Sequence, residues 1–357
     1  MKNIFRILAV AVVALLLTTE SAWAGNDERR GTAGATQLLV NPWARSAGWG
    51  SVNVANTRGL ESFFNNIAGL AFVTKTEFSY SNTMLNGGKN GLVGSGNINA
   101  FGLGQRISDQ GVLAAYVMAS SFGNIDVTTY ESPEAGYNGT FSPTLMNLNV
   151  AYAHSFSRAI HGGVALKIIS ESTDNISASG FAIDAGIQYV SGVDDELKFG
   201  ISLKNIGTTM SYEGTGLSIA TVINDNDFTV ESRAAEMELP TCLNIGVSYD
   251  FLLEAMDQRI TVAGSFTSNA FLKDNFAVGL EYSLLNRVQL RAGYVMQSGI
   301  FNNSTRTTAN TGLAAGASFE IPLSKKEGNN NTIVIDYSYR AASPLKGTHS
   351  IGATIKL

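Results

Sequence analysis

Residues 197–204 read Leu197-Lys198-Phe199-Gly200-Ile201-Ser202-Leu203-Lys204, so that a large apolar residue stands at every second position. Residues 243–251 repeat this pattern, with apolar residues at 243, 245, 247, 249 and 251. Because a β-strand turns successive side chains to opposite faces, each of these segments has one apolar face and one polar face. The two segments therefore predict an all-β protein.

The alternation continues in about fourteen segments, most of them close to the 9–11 residues of a tilted transmembrane strand. Their approximate ranges are 74–82, 96–106, 112–122, 145–156, 162–172, 179–190, 196–206, 240–251, 258–268, 273–284, 287–296, 310–320, 332–341 and 347–357. The joins differ in length: 107–111, 157–161, 191–195 and 285–286 are short, whereas 123–144, 207–239 and 297–309 are long and polar. Outer-membrane barrels have short periplasmic turns and longer external loops. We therefore predict a transmembrane antiparallel β-barrel over residues 74–357, with both of its ends in the periplasm.

The charged residues of these segments keep to one parity, which we assign to the lumen. They are Lys167, Asp184, Lys198, Lys204, Asp250, Glu281, Arg291, Asp336 and Arg340. A charge that faced lipid at the midplane would cost about 2–4 kcal/mol, which explains the confinement. A soluble secreted β-sandwich or solenoid is the alternative, but it does not explain the regular strand lengths together with the asymmetric loops.

The first 24 residues predict export. Lys2 and Arg6 precede the apolar run 7–17, which is too short to cross a bilayer, and Ala22 and Ala24 provide a signal-peptidase site. An N-terminal membrane anchor is the less favoured alternative, because the run is short. With the barrel pattern, this signal peptide predicts the outer membrane of a Gram-negative bacterium, in contact with membrane lipid and lipopolysaccharide.

The composition gives little support to catalysis. The three histidines are His154, His161 and His349, and none stands at a metal-ligand spacing with a second ligand. The chain has no phosphate-binding loop and no Gly-x-Ser-x-Gly motif, and its single cysteine excludes an internal disulfide. The net charge of −5 gives no reason to expect a nucleic-acid partner. We expect no enzyme activity, no cofactor and no metal.

Residues 25–73 do not alternate. They are rich in glycine and alanine, with a possible short helix around Leu60 to Ala71. A barrel of fourteen strands has a lumen wider than side chains alone can fill. We therefore expect this segment to act as a hatch, or plug, inside the barrel.

The same region carries a family resemblance. The run Ala44-Arg45-Ser46-Ala47-Gly48-Trp49-Gly50 and the run Asn66-Ile67-Ala68-Gly69-Leu70-Ala71 resemble the opening motifs of the PorV/PorQ family of the type IX secretion system. That family is a branch of the fourteen-stranded barrels typified by the long-chain fatty-acid transporter FadL. Ile67 departs from the second motif, which has proline there. The resemblance implies a hatch formed by Ala44, Arg45, Gly48, Gly50, Asn66, Ala68 and Gly69.

The resemblance also implies a non-enzymatic component of a protein-secretion machine. Its partners would be other secretion-system outer-membrane proteins and the C-terminal signal domains of secreted cargo. The two longest loops carry apolar residues that are costly to leave in water, and they would make these contacts unless they pack on themselves. The candidate contact residues are Tyr130, Pro133, Tyr137, Phe141, Tyr212, Leu217 and Phe228.

Two other functions remain open. A FadL-like transporter of hydrophobic small molecules would have a ligand-sized apolar pocket near the external mouth. The charged and small lumen residues disfavour such a pocket. A plain porin would need an open lumen, which the plug-like segment disfavours.

Overall fold

The computed structural model describes residues 27–85, 96–134, 136, 138–253, 257–302, 304–323, 331–343 and 345–357. The signal peptide predicted at residues 1–24 lies outside this part of the chain. The strands in chain order are β1 (Thr76–Leu85), β2 (Gly96–Arg106), β3 (Gly111–Ser121), β4 (Ile125–Asp126), β5 (Thr140–Phe141), β6 (Thr144–Ser155), β7 (Ile160–Thr173), β8 (Ile176–Ser191), β9 (Leu197–Gly207), β10 (Ser218–Ile223), β11 (Asn226–Glu231), β12 (Cys242–Leu253), β13 (Gln258–Asn269), β14 (Asn275–Leu284), β15 (Val288–Gln297), β16 (Asn310–Pro322), β17 (Thr332–Ala342) and β18 (Thr348–Lys356).

Fourteen of these described strands form one closed barrel, in the order β1-β18-β17-β16-β15-β14-β13-β12-β9-β8-β7-β6-β3-β2. Every neighbouring pair that the order joins is antiparallel, and β1 closes the barrel against β18 from Glu77↔Lys356 to Leu85↔Thr348. The predicted fold class is therefore confirmed. The remaining strands form two small sheets within the long loops, β4 with β5 and β10 with β11.

The two ends of the barrel differ in their connections. At one end, which we call the turn end, lie the start of β1, the end of β18 and the joins 107–110, 156–159, 192–196 and 285–287. The opposite end, the loop end, carries the long joins 122–143, 208–241 and 298–309. The first strand of the barrel thus begins, and the last strand ends, at the turn end, as the lengths of the joins predict. The sequence also predicts a longer periplasmic turn over residues 322–331, of which 324–330 lie outside the described residues.

The wall has the predicted polarity. Along β6, Met146, Leu148, Val150 and Tyr152 are exposed outward, whereas Asn147 and Asn149 are buried toward the lumen. The inward side also buries Lys167, Asp184, Lys198, Lys204, Glu281, Arg291 and Asp336. A closed barrel leaves no strand edge unpaired, so a belt of exposed apolar side chains around it suits lipid rather than water. This protein is an outer-membrane β-barrel.

Residues 36–73, called here the N-terminal segment, lie inside the barrel. The segment contains short α-helices at Ala44–Ala47 and Ser62–Asn65, and 3₁₀-helices at Thr36–Leu39, Gly59–Glu61 and Ile67–Phe72. Further 3₁₀-helices lie outside the segment at Asp27–Arg29 and Thr215–Leu217. The single helix predicted around Leu60 to Ala71 is therefore three short pieces, interrupted at Asn66, whose backbone is extended. Within the described chain, no helix has the length and apolar character needed to cross a membrane.

Glycines on the inner wall allow the N-terminal segment to lie directly against the strands. A Cβ atom added at Gly316 would lie 3.0 Å from the Cα atom of Gly48, and one added at Gly163 would lie 2.8 Å from the carbonyl oxygen of Ile67. Ten glycines of the described strands face the segment in this way: Gly102, Gly104, Gly163, Gly186, Gly200, Gly246, Gly279, Gly293, Gly316 and Gly352. The wall is therefore fitted to a backbone that runs across the lumen.

Candidate functional site: two cavities in the lumen

A buried polar cluster holds the fold of the N-terminal segment. The Asn41 Nδ2 amide donates to the Ser46 and Ser51 hydroxyls at 2.8 Å each, and the Ser46 hydroxyl donates to the Asn53 Oδ1 atom at 3.0 Å. The Asn65 amide donates to the same two groups, Ser46 Oγ and Asn53 Oδ1. Because buried polar groups are costly unless they are hydrogen-bonded, this network favours one arrangement of the segment.

Asn66 joins the segment to the wall. Its Oδ1 atom accepts from the Ala68 backbone amide at 3.2 Å and so caps the 3₁₀-helix that Ile67 begins. Its Nδ2 atom donates to the carbonyl oxygens of Val54 at 3.1 Å and of Ile187, on β8, at 3.0 Å. Ile67 is the first residue of this helix, a position that proline also suits. The position at which Ile67 departs from the PorV/PorQ motif is therefore a helix start.

The other residues of the predicted hatch are also packed inside the barrel. Ala44 lies against Gly352, whose added Cβ atom would be 3.3 Å from the Ala44 Cβ atom. Gly50 has a φ of +69°, a backbone conformation that favours glycine. A Cβ atom at Gly69 would collide with the Ser62 hydroxyl and the Thr57 carbonyl oxygen, and Ala68 is fully buried. The structure thus places the seven predicted hatch residues in the N-terminal segment, against different parts of the wall, while their sealing role stays a prediction.

Arg45 and Glu61 face each other across the segment, with Arg45 Nε 3.9 Å from Glu61 Oε1. Burial raises the pKa of the Glu61 carboxyl to about 7, although Arg45 and Arg291 act to lower it. For Arg45, burial lowers the guanidinium pKa, but Glu61, Glu281, Asp336 and Glu320 outweigh it and raise the pKa overall. Glu61 is therefore the group of this segment that changes charge near neutral pH.

The turn-end face of the N-terminal segment borders a cavity of about 570 Å³, called here the turn-end cavity. Segment residues that line it include Arg45, Trp49, Arg58 and Glu61. Across it, the wall contributes carboxylates and cations together: Glu77, Lys198, Asp250, Arg259, Glu281, Glu320, Asp336 and Lys356. The cavity therefore carries many charges of both signs.

Most of these wall charges are paired. Lys198 Nζ lies 2.6 Å from Asp250 Oδ2, and Arg291 Nε lies 2.6 Å from Glu281 Oε2. Arg259 Nη2 is a second partner of Glu281, at 3.1 Å. The Glu77 Oε1 atom accepts from the Leu60 backbone amide at 2.9 Å. The wall charges thus compensate one another, as buried charges require. The Glu77 contact anchors the N-terminal segment to the wall.

A second cavity, of about 230 Å³, lies on the other face of the segment and is called the loop-end cavity. The segment contributes Leu39, Asn41, Gly50, Ser51, Val54, Phe64 and Asn65 to it, none of which lines the turn-end cavity. The wall contributes amides and hydroxyls, among them Asn244, Thr267, Asn275 and Asn310, and the cations Lys204 and Arg340. The N-terminal segment therefore divides the lumen into two compartments of different chemistry.

The barrel wall is irregular beside the loop-end cavity. The pairing of β16 with β17 shifts between Asn310, opposite Ala342, and Ala314, opposite Arg340. The ladder between β15 and β16 runs from Val288↔Phe319 only as far as Tyr294↔Leu313. Bulges of this kind bend a strand and interrupt its ladder. The ladder is thus interrupted where Asn310, Gly312 and Leu313 line the cavity.

The candidate partner-binding residues lie in different environments. Tyr130, Pro133 and Phe228 are exposed, whereas Phe141 and Leu217 are partly buried. Tyr212 packs against the apolar cluster that contains Met210, and its hydroxyl donates to Glu171 at 2.6 Å. Tyr137 lies outside the described residues. The loop 208–241 therefore packs partly onto the barrel mouth, while its β10–β11 hairpin stays exposed.

The groups that could support chemistry are dispersed. His161 lies inside the barrel with its Nδ1 atom 3.0 Å from the Ser155 hydroxyl, but its Nε2 atom has no hydrogen-bond partner in the described structure. His154 and His349 lie on the outer wall beside Tyr152 and Tyr337. Over the described residues, no three His, Cys, Asp or Glu side chains are grouped so that they could hold a metal ion.

The comparisons with known proteins give a fold. No protein-family model matches the chain, and no curated protein matches it. The chain is similar to the toluene transporter TodX of Pseudomonas putida, with a TM-score of 0.54 at 10% identity over 88% of this chain and 97% of that chain. It is also similar to the CymD monoaromatic hydrocarbon channel, with a TM-score of 0.55 at 12% identity over 89% of this chain and 97% of that chain. A FadL homologue of Pseudomonas aeruginosa gives a TM-score of 0.53 at 12% identity over 88% of this chain and 97% of that chain.

The chain has a FadL-like barrel fold. At these identities the likeness concerns the fold alone, and the PorV/PorQ resemblance stays a prediction. Sequence reasoning missed the inward-facing glycines, and it placed Lys204 and Arg340 in the lumen without showing that they line one cavity. The signal for the glycines was visible, since Gly102, Gly200, Gly246, Gly293 and Gly352 share the parity of the lumen charges. The sequence does not show which lumen cations have a carboxylate partner, because that depends on how the strands pack.

Proposed function

We propose that this protein is a non-enzymatic outer-membrane channel for small molecules with a hydrophobic body, and that the loop-end cavity is its substrate site. The proposal rests on a cavity of about 230 Å³ that lies between the N-terminal segment and the irregular stretch of β16. Leu39, Val54, Phe64, Val295 and Ile300 give it an apolar side. Small-molecule sites combine such an apolar lining with a few polar groups.

The described functions of two similar barrels support this proposal. TodX is described as a toluene transporter and CymD as a monoaromatic hydrocarbon channel. In this chain, the N-terminal segment lies between the loop-end cavity and the turn-end cavity. A substrate must therefore either displace the segment or leave sideways through the wall beside Gly312.

Filling the cavity tests the proposal. Ala277 is buried and lines the loop-end cavity, so Ala277→Phe should occupy the substrate site. Uptake of radiolabelled toluene by a Gram-negative host that lacks hydrocarbon channels should rise when the wild-type barrel is expressed, and should return to background with Ala277→Phe. Ala277→Ser is the matched control and should keep uptake. Wild-type uptake no greater than background would contradict the proposal.

A disulfide between the segment and the wall distinguishes the two routes. Cysteines at Ala44 and Gly352, with Cys242→Ala to remove the native thiol, would have Cβ atoms close to the 3.5–4.5 Å that a disulfide needs. If the segment must move, the oxidised protein should lose uptake and recover it on reduction. Unchanged uptake in the oxidised protein would indicate the sideways route beside β16.

A second candidate function rests on a different observation. The β10–β11 hairpin carries an uncovered apolar face, formed by Ile219, Ile223, Phe228 and Val230. Exposed apolar patches of this kind mark protein interaction sites. This supports the secretion-system component that the PorV/PorQ resemblance implies. Recovery of a large outer-membrane or secreted partner from detergent extract, and its loss with Ile219→Ser and Phe228→Ser together, would favour this function over the channel.

A further inference from the structure

The loop-end cavity has an unusual charge balance. Its lining includes two cations, Lys204 and Arg340, but no aspartate or glutamate among the described residues. The two cations stand on β9 and β17, six strands apart around the barrel, so they flank the cavity from nearly opposite sides. The turn-end cavity, by contrast, mixes cations with carboxylates. A positive compartment inside the lumen therefore needs an explanation.

Asp184, on the strand beside Lys204, and Asp274, next to the lining residue Asn275, are already engaged. Asp184 Oδ2 lies 2.6 Å from Lys167 Nζ, and its Oδ1 atom accepts from the Asn205 backbone amide at 2.8 Å. Asp274 is buried, and its Oδ1 atom accepts from the Asn269 backbone amide at 2.8 Å. Neither lines the cavity. Among the described residues, the cavity lining therefore provides no carboxylate that faces Lys204 or Arg340.

Both cations keep unused hydrogen-bonding capacity. The buried Nε atom of Arg340 has no hydrogen-bond partner among the residues that the structure describes. Lys204 is 7% exposed, and its Nζ atom donates to the Phe64 carbonyl oxygen at 2.8 Å and lies 4.1 Å from the Phe64 ring centre. An ammonium group has three donors and a guanidinium has five. A buried cation without an acidic partner is costly, so an anion in this cavity would be favourable.

We propose that the loop-end cavity binds a small organic acid whose carboxylate pairs with Arg340, while Lys204 adds to the positive charge of the same cavity. The apolar residues of the cavity would hold the body of the acid, and a volume of about 230 Å³ has room for one aromatic ring. A small organic acid would be the substrate class of the proposed channel, so the biological role of this site rests on the proposed function. The binding itself is a separate property and can be measured without transport.

Equilibrium dialysis of the full chain in detergent tests the binding. Labelled benzoate should bind, benzyl alcohol should bind at least about tenfold more weakly, and Arg340→Gln should weaken benzoate by about tenfold while leaving benzyl alcohol unchanged. Arg340→Lys should keep most of the benzoate affinity, because it keeps the charge. Lys75→Gln removes one exposed cation outside the cavity and is the matched control.

Three outcomes would overturn the proposal. They are equal binding of acid and alcohol, benzoate binding that Arg340→Gln leaves unchanged, and binding of inorganic phosphate without benzoate. Because Lys204 also fastens Phe64, Lys204→Met is used only as a second variant, with heat-modifiable electrophoretic mobility as the check that the barrel has folded. Hydrocarbon uptake that fails while charge-selective benzoate binding persists would reject the proposed channel alone, and the reverse result would reject the anion site alone.

Discussion

The turn-end cavity and the loop-end cavity lie on opposite faces of the N-terminal segment and differ in how their charged residues are paired. In the turn-end cavity, carboxylates and cations from neighbouring strands lie within ion-pair distance, as with Arg291 and Glu281 at 2.6 Å. In the loop-end cavity, Lys204 and Arg340 have no carboxylate beside them in the described lining. The first arrangement satisfies charges within the protein, whereas the second leaves charge available to a bound molecule. The comparison separates residues that stabilise the fold from residues that can select a substrate.

The largest effect is expected from breaking a turn-end pair. Arg291→Met removes a fully buried guanidinium and leaves Glu281 with Arg259 alone, 3.1 Å away. We expect the free energy of unfolding, measured in urea with the barrel in lipid, to fall by about 3 kcal/mol. Lys356→Gln, which removes a partly exposed ammonium group 3.9 Å from Glu320 Oε1, should cost at most about 1 kcal/mol. Equal effects of the two changes would mean that water in the cavity already screens the buried pair.

The next effect concerns the partition itself. A Cβ atom at Gly293 would collide with the Trp49 carbonyl oxygen, so Gly293→Val should displace the segment and join the two cavities. We expect a loss of about 1–3 kcal/mol in the free energy of unfolding and a larger single-channel conductance in planar bilayers. The control is Gly264→Val, because only one atom lies as near as 4.0 Å to a Cβ atom there. Unchanged conductance in Gly293→Val would show that the segment does not obstruct the lumen.

A smaller effect depends on pH. The pKa of Glu61 in the fold, about 7, is above its value in the unfolded chain, so the folded state binds the extra proton. Stability should therefore fall as pH rises from about 4.5 to 7, by on the order of 1–2 kcal/mol after allowance for water in the cavity, and then stay level. Glu61→Gln should flatten this part of the profile without reversing it. Arg45, Arg291, Glu281 and Asp336 are the charged groups that act on Glu61.

The smallest effect concerns the loop 208–241, which packs partly onto the barrel mouth at the loop end. Tyr212→Phe removes the hydrogen bond to Glu171 that fastens the loop 208–241 to β7. We expect about 1 kcal/mol less stability and faster proteolysis of that loop. Tyr130→Phe changes a fully exposed tyrosine and should alter neither measurement. If both variants behave alike, the Tyr212 contact does not restrain the loop.

The strands could be predicted closely because lipid and lumen impose opposite demands on alternate residues. Predicted ranges such as 96–106 and 258–268 agree with β2 and β13 to within one residue. The strands β7 and β8 run longer than predicted and meet in a two-residue turn at Asp174 and Asn175. The loop hairpins β4–β5 and β10–β11 escaped prediction because neither face of them is buried in a way that imposes a strong pattern.

The cavities could not be predicted from sequence for a different reason. The lumen residues of a barrel come from strands far apart in the chain, so parity alone shows that Lys204 and Lys198 face inward. It does not show that Lys198 meets Asp250 while Lys204 meets the Phe64 carbonyl oxygen. The N-terminal segment could be placed in the lumen by its resemblance and by its lack of alternation. Its path depended on the ten wall glycines that face it.

Cys242 offers an experimental consequence. It is the single cysteine of the 357 residues, and its side chain is buried at the edge of the loop-end cavity. A fluorinated thiol reagent attached there would place a spectroscopic reporter beside the candidate substrate site, with no competing thiol elsewhere in the chain. Entry of a molecule into the compartment could then be followed by a change in the fluorine resonance while the barrel remains in its membrane.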